Sequence, residues 1–171
     1  MVKKCPEITF AGYRLLEASA KDLQPALDSR GGSGEVALAP EVYFAHNSRD
    51  KKAPFHVLVI VKLVATLSEH KKEKGDLPRV EATISGQGRF EITNISARNF
   101  AKTYEDSEFL DGLADRVYPL VLTQLQRLLD DMGYGTGRIP LSLPEKNRHE
   151  VLNSESNGNA KSITEKGRVK R

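Results

Sequence analysis

The fold of this chain is decided by residues 55–69, which read FHVLVIVKLVATLSE. Successive residues of a β-strand point to opposite faces of a sheet, so every second residue here shares a face. One face is entirely apolar and carries Phe55, Val57, Val59, Val61, Leu63, Ala65 and Leu67. The other face mixes polar and apolar residues, namely His56, Leu58, Ile60, Lys62, Val64, Thr66 and Ser68. We therefore predict a strand whose first face packs against a helix of the same chain and whose second face meets another subunit or a ligand.

Three further extended segments surround this strand. Residues 7–16 alternate with a period of two, and residues 35–46 form a second extended segment. Pro40 lies inside that second segment and favours an edge position, because proline cannot donate to a ladder of hydrogen bonds. Residues 79–95 form the last strand, which we expect to be interrupted at residues 86–88 (GQG). The connections are too short for crossover helices, so we predict an antiparallel meander.

The hydrophobic period changes after the last strand. Apolar residues then follow one stripe of an α-helix: Leu113, Val117, Leu120, Val121, Leu125, Leu128 and Met132. Residues 104–112 are predicted as a shorter helical lead-in. Pro119 lies within the stripe and predicts a kink or a helix start nearby, whereas Gly133 and Gly135 mark the helix end. The predicted fold class is therefore α+β: a four-stranded antiparallel sheet with a long C-terminal helix packed on one face.

The chain divides into one domain and a tail. At 171 residues and 19.0 kDa it has the size of a single domain, which we assign to residues 1–144. Residues 145–171 have few large apolar side chains and end in a basic run at residues 166–171. Such a segment cannot bury enough apolar surface to offset its ordering entropy. We predict that residues 145–171 form a disordered basic C-terminal tail.

Composition points to a cytoplasmic protein. The single cysteine, Cys5, cannot form an internal disulfide, so nothing indicates an oxidising compartment. The basic start of the chain is not followed by the apolar run of a signal peptide. The longest apolar stretch, residues 55–67, is too short to span a membrane and contains His56 and Lys62.

The sequence offers little support for catalysis. The four histidines (residues 46, 56, 70 and 149) are scattered, without the spacing of metal ligands. Glycine clusters at residues 31–34 and 133–137 do not stand between a strand and a helix, where a phosphate-binding loop requires them. We predict no catalytic residue, no metal and no cofactor, and hence no enzyme. A small-molecule-binding or enzymatic α+β domain remains an alternative, but the sequence indicates no particular residues for its binding or active site.

Several short motifs occur in a recognisable order. They are Phe10 with Arg14 in the first strand, PEVYF at residues 40–44, VATL at residues 64–67, GRFEI at residues 88–92, Tyr118-Pro119 in the helix, and IPLSLP at residues 139–144. In order and spacing they resemble the bacterial export chaperone family SecB over residues 7–144.

The resemblance implies a subunit that assembles into a homodimer and then a homotetramer. It also implies an ATP-independent holdase, which binds unfolded polypeptides along an apolar groove without catalysis. SecB-like proteins serve either preproteins for export or a dedicated antitoxin of a toxin–antitoxin system, and both client classes stay open here. By position, the predicted client-binding residues are Val42, Phe44, Val80, Ala82 and Ile84. The same five residues would serve equally well as core.

Charge separates this chain from the export chaperone. SecB is usually acidic and docks the motor SecA through acidic surface, whereas this chain has a net charge of +3. Thr83 stands where that family tends to carry a glutamate on the docking face, and Ser19 is likewise uncharged. This departure argues against SecA binding. An alternative function is a nucleic-acid-binding or regulatory module that acts through the basic tail. Its affinity for nucleic acid would fall as the salt concentration rises.

Overall fold

A computed structural model describes residues 5–23, 34–47, 51–71 and 75–134, and the structural statements below concern these residues. Their secondary structure comprises four strands and two helices: β1 (Glu7–Asp22), β2 (Gly34–His46), β3 (Phe55–Lys71), β4 (Gly75–Thr93), α1 (Ala97–Tyr104) and α2 (Ser107–Asp131). The strands form one antiparallel sheet, and α2 packs against it, so the predicted fold class is confirmed. The predicted basic tail and the IPLSLP segment lie outside the described residues.

The order of the strands across the sheet is β1-β4-β3-β2. Strands β2, β3 and β4 form the predicted meander, but its extension to β1 is wrong, because β1 pairs with β4 and not with β2. Ile8 lies opposite Ile92, and Ala20 lies opposite Ala82. Strands that follow each other in sequence are usually neighbours, yet β1 joins the far edge, where it covers the otherwise free side of β4. Consequently β1 and β2 are the two edge strands.

Strand β4 runs without a break through its two central glycines, so the predicted interruption at residues 86–88 is wrong. Both glycines lie where a neighbouring side chain crosses the strand closely. A Cβ atom at Gly86 would lie 2.7 Å from Tyr13 Cε2, and one at Gly88 would overlap Val117 Cγ2. Glycine in a strand can mark such a close approach as well as a bend.

The core lies between the sheet and α2. The predicted apolar face of β3 is buried from Phe55 to Ala65, and Leu67 is partly buried against the same core. The helix stripe needs correction, because Leu120 is exposed and Leu128 and Met132 are only partly buried. Five residues of α2 outside the predicted stripe are also buried: Leu110, Ala114, Tyr118, Leu122 and Leu129. The buried stripe is thus rotated toward these residues and away from Leu120.

Helix α2 begins well before its proline. Asp106 caps it by accepting a hydrogen bond from the Glu108 backbone N–H, and Pro119 lies inside the helix. A helix start at Pro119 is therefore wrong. The predicted lead-in at residues 104–112 is instead the end of α1 and the first turns of α2, separated at Glu105.

An aromatic cluster attaches α1 to one end of the sheet. Phe100 stacks on Phe55 with a centroid separation of 4.4 Å, and His46 meets Tyr104 edge to face at 4.2 Å. Burial raises the pKa of Tyr104, whose hydroxyl has no hydrogen-bond partner among the described residues. The cluster fixes α1 beside the start of α2.

The C-terminus of α2 is closed by a left-handed glycine. Gly133 has a φ of 85°, its N–H donates to the Asp130 carbonyl, and the Tyr134 N–H donates to the Leu129 carbonyl. This is the Schellman arrangement, in which a residue with a Cβ atom is strained. We expect Gly133→Ala to lower the free energy of unfolding by about 1 kcal/mol in a urea titration.

Gly112 provides the matched control for that substitution. It lies inside α2, and an added Cβ atom would meet nothing within 4 Å. Gly112→Ala is therefore expected to raise the free energy of unfolding by about 0.5–1 kcal/mol. Equal effects of the two substitutions would contradict the left-handed cap.

Candidate functional site

The five predicted client-binding residues lie in the core. Val42, Phe44, Val80, Ala82 and Ile84 are all buried on the face of the sheet that α2 covers. The alternative that they are core residues accounts for their position in this chain. Their contact with a client stays a prediction, and it would require α2 to leave that face.

The exposed large hydrophobic residues gather elsewhere. Phe10, Leu15 and Leu16 lie on β1, Leu23 follows the end of that strand, and Leu120 lies on α2. Each has 37% to 42% of its surface exposed. Single exposed apolar residues are ordinary on a protein surface, but a contiguous group indicates a binding site.

Two of these residues, Phe10 and Leu15, lie on β1 toward the face that α2 covers, and Leu120 lies on α2 itself. Phe10 lies opposite Phe90 in the sheet register, and their ring centroids are 5.2 Å apart. Val117 of α2 packs above Gly88, and the Phe10 ring lies beside the same glycine. Leu120 lies about one turn beyond Val117 on α2, at an exposed position.

Leu15 lies opposite Gly86, on the same face of the sheet as Phe10, and this is the face that α2 covers. We infer that Phe10, Leu15 and Leu120 border one apolar groove between β1 and α2, and we call it the β1–α2 groove.

The floor of the β1–α2 groove is also apolar. Tyr13 crosses Gly86 there, and its hydroxyl is buried without a hydrogen-bond partner among the described residues. Burial raises the pKa of the Tyr13 phenol above its ordinary value of 10.0, so the ring stays neutral at physiological pH. The Tyr13 ring therefore adds apolar surface to the floor, and its hydroxyl adds one polar group.

One rim of the groove is the edge of the sheet. Strand β1 pairs only with β4, so no other described strand covers its outer edge. Its register shifts between Phe10 and Gly12 and again between Leu15 and Glu17. Such bulges interrupt long edge-to-edge pairing and leave only short stretches for a partner.

The sequence contains two signals for these residues. Leu15 and Leu16 are consecutive leucines in a strand, and an unbulged strand points consecutive side chains to opposite faces. Leu120, Val121 and Leu122 are three consecutive apolar residues in a helix, and they span too wide an arc for all to be buried. In each of these two segments, at least one apolar side chain therefore points away from the core.

A second apolar surface lies on the side of the sheet away from α2, which we call the open face. The half formed by β2 and β3 carries a partly exposed apolar stripe of Ala37, Ala39, Tyr43, Ala45, Leu58, Ile60 and Val64. The other half, on β1 and β4, is polar. There Ser19 lies directly opposite Thr83, so the two uncharged positions singled out from the sequence are neighbours.

The polar side chains of the described residues are predicted from the sequence to hold no metal. No three or more His, Cys, Asp and Glu side chains in these ranges converge as metal ligands. His56 Nδ1 lies 3.8 Å from Glu91 Oε1 at the sheet surface. A shallow depression nearby is lined by Ala45, His46, Asn47, His56, Leu58 and Arg89.

The two described helices, α1 and α2, do not have the properties of a membrane-spanning helix. Neither combines the length and the apolar character needed to cross a bilayer.

Comparisons with known proteins give likenesses in structure but not in sequence. The chain matches no protein-family model and no curated protein sequence. It is similar in structure to the Mycobacterium tuberculosis SecB-like chaperone Rv1957, solved in complex with a ChAD peptide from the Rv1956 HigA1 antitoxin. The TM-score is 0.44 at 10% sequence identity, over 78% of this chain and 89% of that chain. A likeness at this level leaves the family of this chain unassigned.

Proposed function

We propose that this protein is an ATP-independent molecular chaperone, a holdase that binds unfolded or aggregation-prone polypeptides and catalyses no reaction. The observation that carries the proposal is the exposure of Phe10, Leu15 and Leu120 on β1 and α2, beside an edge of β1 that no other described strand covers. An apolar groove beside such an edge accepts an extended peptide through main-chain hydrogen bonds to the edge and through apolar side-chain contacts. Such contacts tolerate many sequences, as a holdase requires.

The expected affinity suits transient binding. Complete burial of a large apolar side chain contributes about 1.5–3 kcal/mol. Phe10, Leu15 and Leu120 are 37% to 42% exposed, so covering all three contributes about 3 kcal/mol in total. The bulges in β1 limit what main-chain pairing adds. A client would therefore be held weakly at each site and released without an energy source.

The proposal includes two client classes and an oligomeric form. Clients are either preproteins for export or one dedicated antitoxin, and the protein acts in the cytoplasm as a homodimer or homotetramer. The polar half of the open face argues against docking of SecA, because Ser19 and Thr83 carry no negative charge where the two strands pair. A dedicated antitoxin client is compatible with that surface.

Aggregation of a chemically denatured test protein, diluted into buffer and followed by light scattering, tests the proposal. We expect an equimolar amount of the oligomer to suppress the scattering without nucleotide, and added ATP to change nothing. The same molar amount of an unrelated folded protein of similar mass serves as the control. Unchanged aggregation across several test proteins would remove the general chaperone and leave a dedicated partner to be sought.

A further inference from the structure

The apolar stripe of the open face is interrupted at one level by a pair of charges. Glu41 on β2 lies opposite Lys62 on β3, and Lys62 Nζ is 3.2 Å from Glu41 Oε2. Tyr43 also donates a hydrogen bond of 3.0 Å to the same carboxylate oxygen. Both charged side chains are more than one-third exposed, so they lie on the surface of the stripe rather than beneath it.

The two strands of the stripe differ in side-chain size as well as in charge. On β2 the open face carries mainly alanines, and on β3 it carries larger aliphatic residues. The register places Ala39 opposite Val64 and Ala45 opposite Leu58. At these two levels a small residue has a larger one beside it, and Glu41 has Lys62 beside it; Tyr43 lies opposite Ile60.

This arrangement is self-complementary. A two-fold axis parallel to the strands, between β2 and β3, places β2 of one copy over β3 of the other at the same level. Ala39 and Ala45 of each copy then face Val64 and Leu58 of the other, and Glu41 of each copy faces Lys62 of the other. Two-fold dimers use the same patch on both partners, so a patch with this internal match is suited to one.

We propose that a second copy of this chain packs on the open face through the β2–β3 stripe. The sheets would lie about 10 Å apart, with strands aligned to within about 30° as in a β-sandwich. Inside such a contact the four charges of two Glu41–Lys62 pairs alternate in sign. Each charge then has an opposite neighbour in its own chain and another in the partner.

Charge complementarity selects a second copy over an unfolded client as the occupant. Covering an ion pair removes its water, and the loss is offset only when new partners are supplied. An apolar segment of arbitrary sequence would cover Glu41 and Lys62 without partnering either one. A second copy partners both, and it leaves the β1–α2 groove free on the other side of the sheet. The proposal therefore does not depend on the chaperone function.

Charge reversal tests the contact in the full-length chain. Glu41→Lys places lysine over lysine across the proposed interface, and Lys62→Glu places glutamate over glutamate. Like charges brought together in an interface cost several kcal/mol, so each variant alone should dimerise at least about tenfold more weakly. Asp115→Lys, at an exposed position on α2, is the matched control and should leave dimerisation unchanged. Sedimentation velocity over a concentration series measures the dissociation constants.

Mixing the two variants separates the interface from effects within one chain. Each variant retains a like-charge pair in its own sheet, but a heterodimer of Glu41→Lys with Lys62→Glu faces lysine to glutamate throughout. We expect the equimolar mixture to recover the dimer. A wild-type chain that is monomeric throughout the series, a dimer insensitive to both reversals, or a mixture that stays monomeric would each overturn the proposal.

Discussion

Replacing Leu15 and Leu120 together with aspartate is expected to abolish the suppression of aggregation while leaving the chain folded. The two residues lie on β1 and α2, the two elements that border the inferred β1–α2 groove, and their exposure of 42% and 37% means that substitution opens no large cavity. Two carboxylates in the groove would repel apolar client segments, because a client would have to desolvate them without offering a partner. Light scattering of a denatured test protein measures the effect.

Leu23→Asp is the matched control for that experiment. Leu23 is 37% exposed like Leu120, but it lies beyond the end of β1 and outside the groove. This substitution is expected to retain the suppression of aggregation. Circular dichroism and sedimentation confirm that both variants keep the secondary structure and oligomeric mass of the wild type. Full activity of the double variant, or equal loss in the control, would remove the β1–α2 groove as the client site.

Gly88→Ala is expected to lower the free energy of unfolding by about 1–3 kcal/mol, the usual cost of adding a methyl group to a packed core. Its Cβ atom would overlap Val117 Cγ2 and lie 3.3 Å from Phe10 Cε2. Val117 is fully buried on α2, so the helix must shift outward or the valine must adopt a poorer conformation. Urea unfolding of the wild type and the variant measures the difference.

A double-mutant cycle identifies the cause of that loss. Val117→Ala removes the methyl group that collides with the new Cβ atom, so Gly88→Ala should cost much less in a Val117→Ala background. Gly12→Ala on β1 is the control, since a Cβ atom there meets nothing within 4 Å. Additive effects at Gly88 and Val117, or an equal cost at Gly12, would contradict the close approach of α2 to β4.

The two proposed surfaces lie on opposite sides of one sheet and are separable by experiment. Charge reversal at Glu41 or Lys62 acts on the open face, whereas aspartate at Leu15 and Leu120 acts in the β1–α2 groove. Loss of the dimer with retained client binding would locate assembly and holding on different faces. Loss of both functions in a single-surface variant would indicate that the dimer itself builds the client site.

Several features of the fold follow from the sequence alone. The alternation of apolar residues from Phe55 to Ala65 predicts a strand with one buried face, and that face is buried. The change of period after residue 113 predicts the long helix, and α2 covers these residues. Alternation and helical periodicity arise from the local geometry of the backbone, so they can be recognised without knowledge of distant contacts.

Other features were decided only by the tertiary structure. β1 pairs with β4, Gly88 lies beneath Val117, and the predicted client residues such as Val42 and Phe44 lie under α2. Each depends on which distant segments meet, and a local pattern describes a face of an element without specifying its neighbour. The β1–α2 groove also depends on which distant segments meet. Leu15 and Leu120 are far apart in sequence, and neither side chain is buried in the core. The sequence thus determined which surfaces are apolar, whereas packing between distant segments determined which of them stayed exposed.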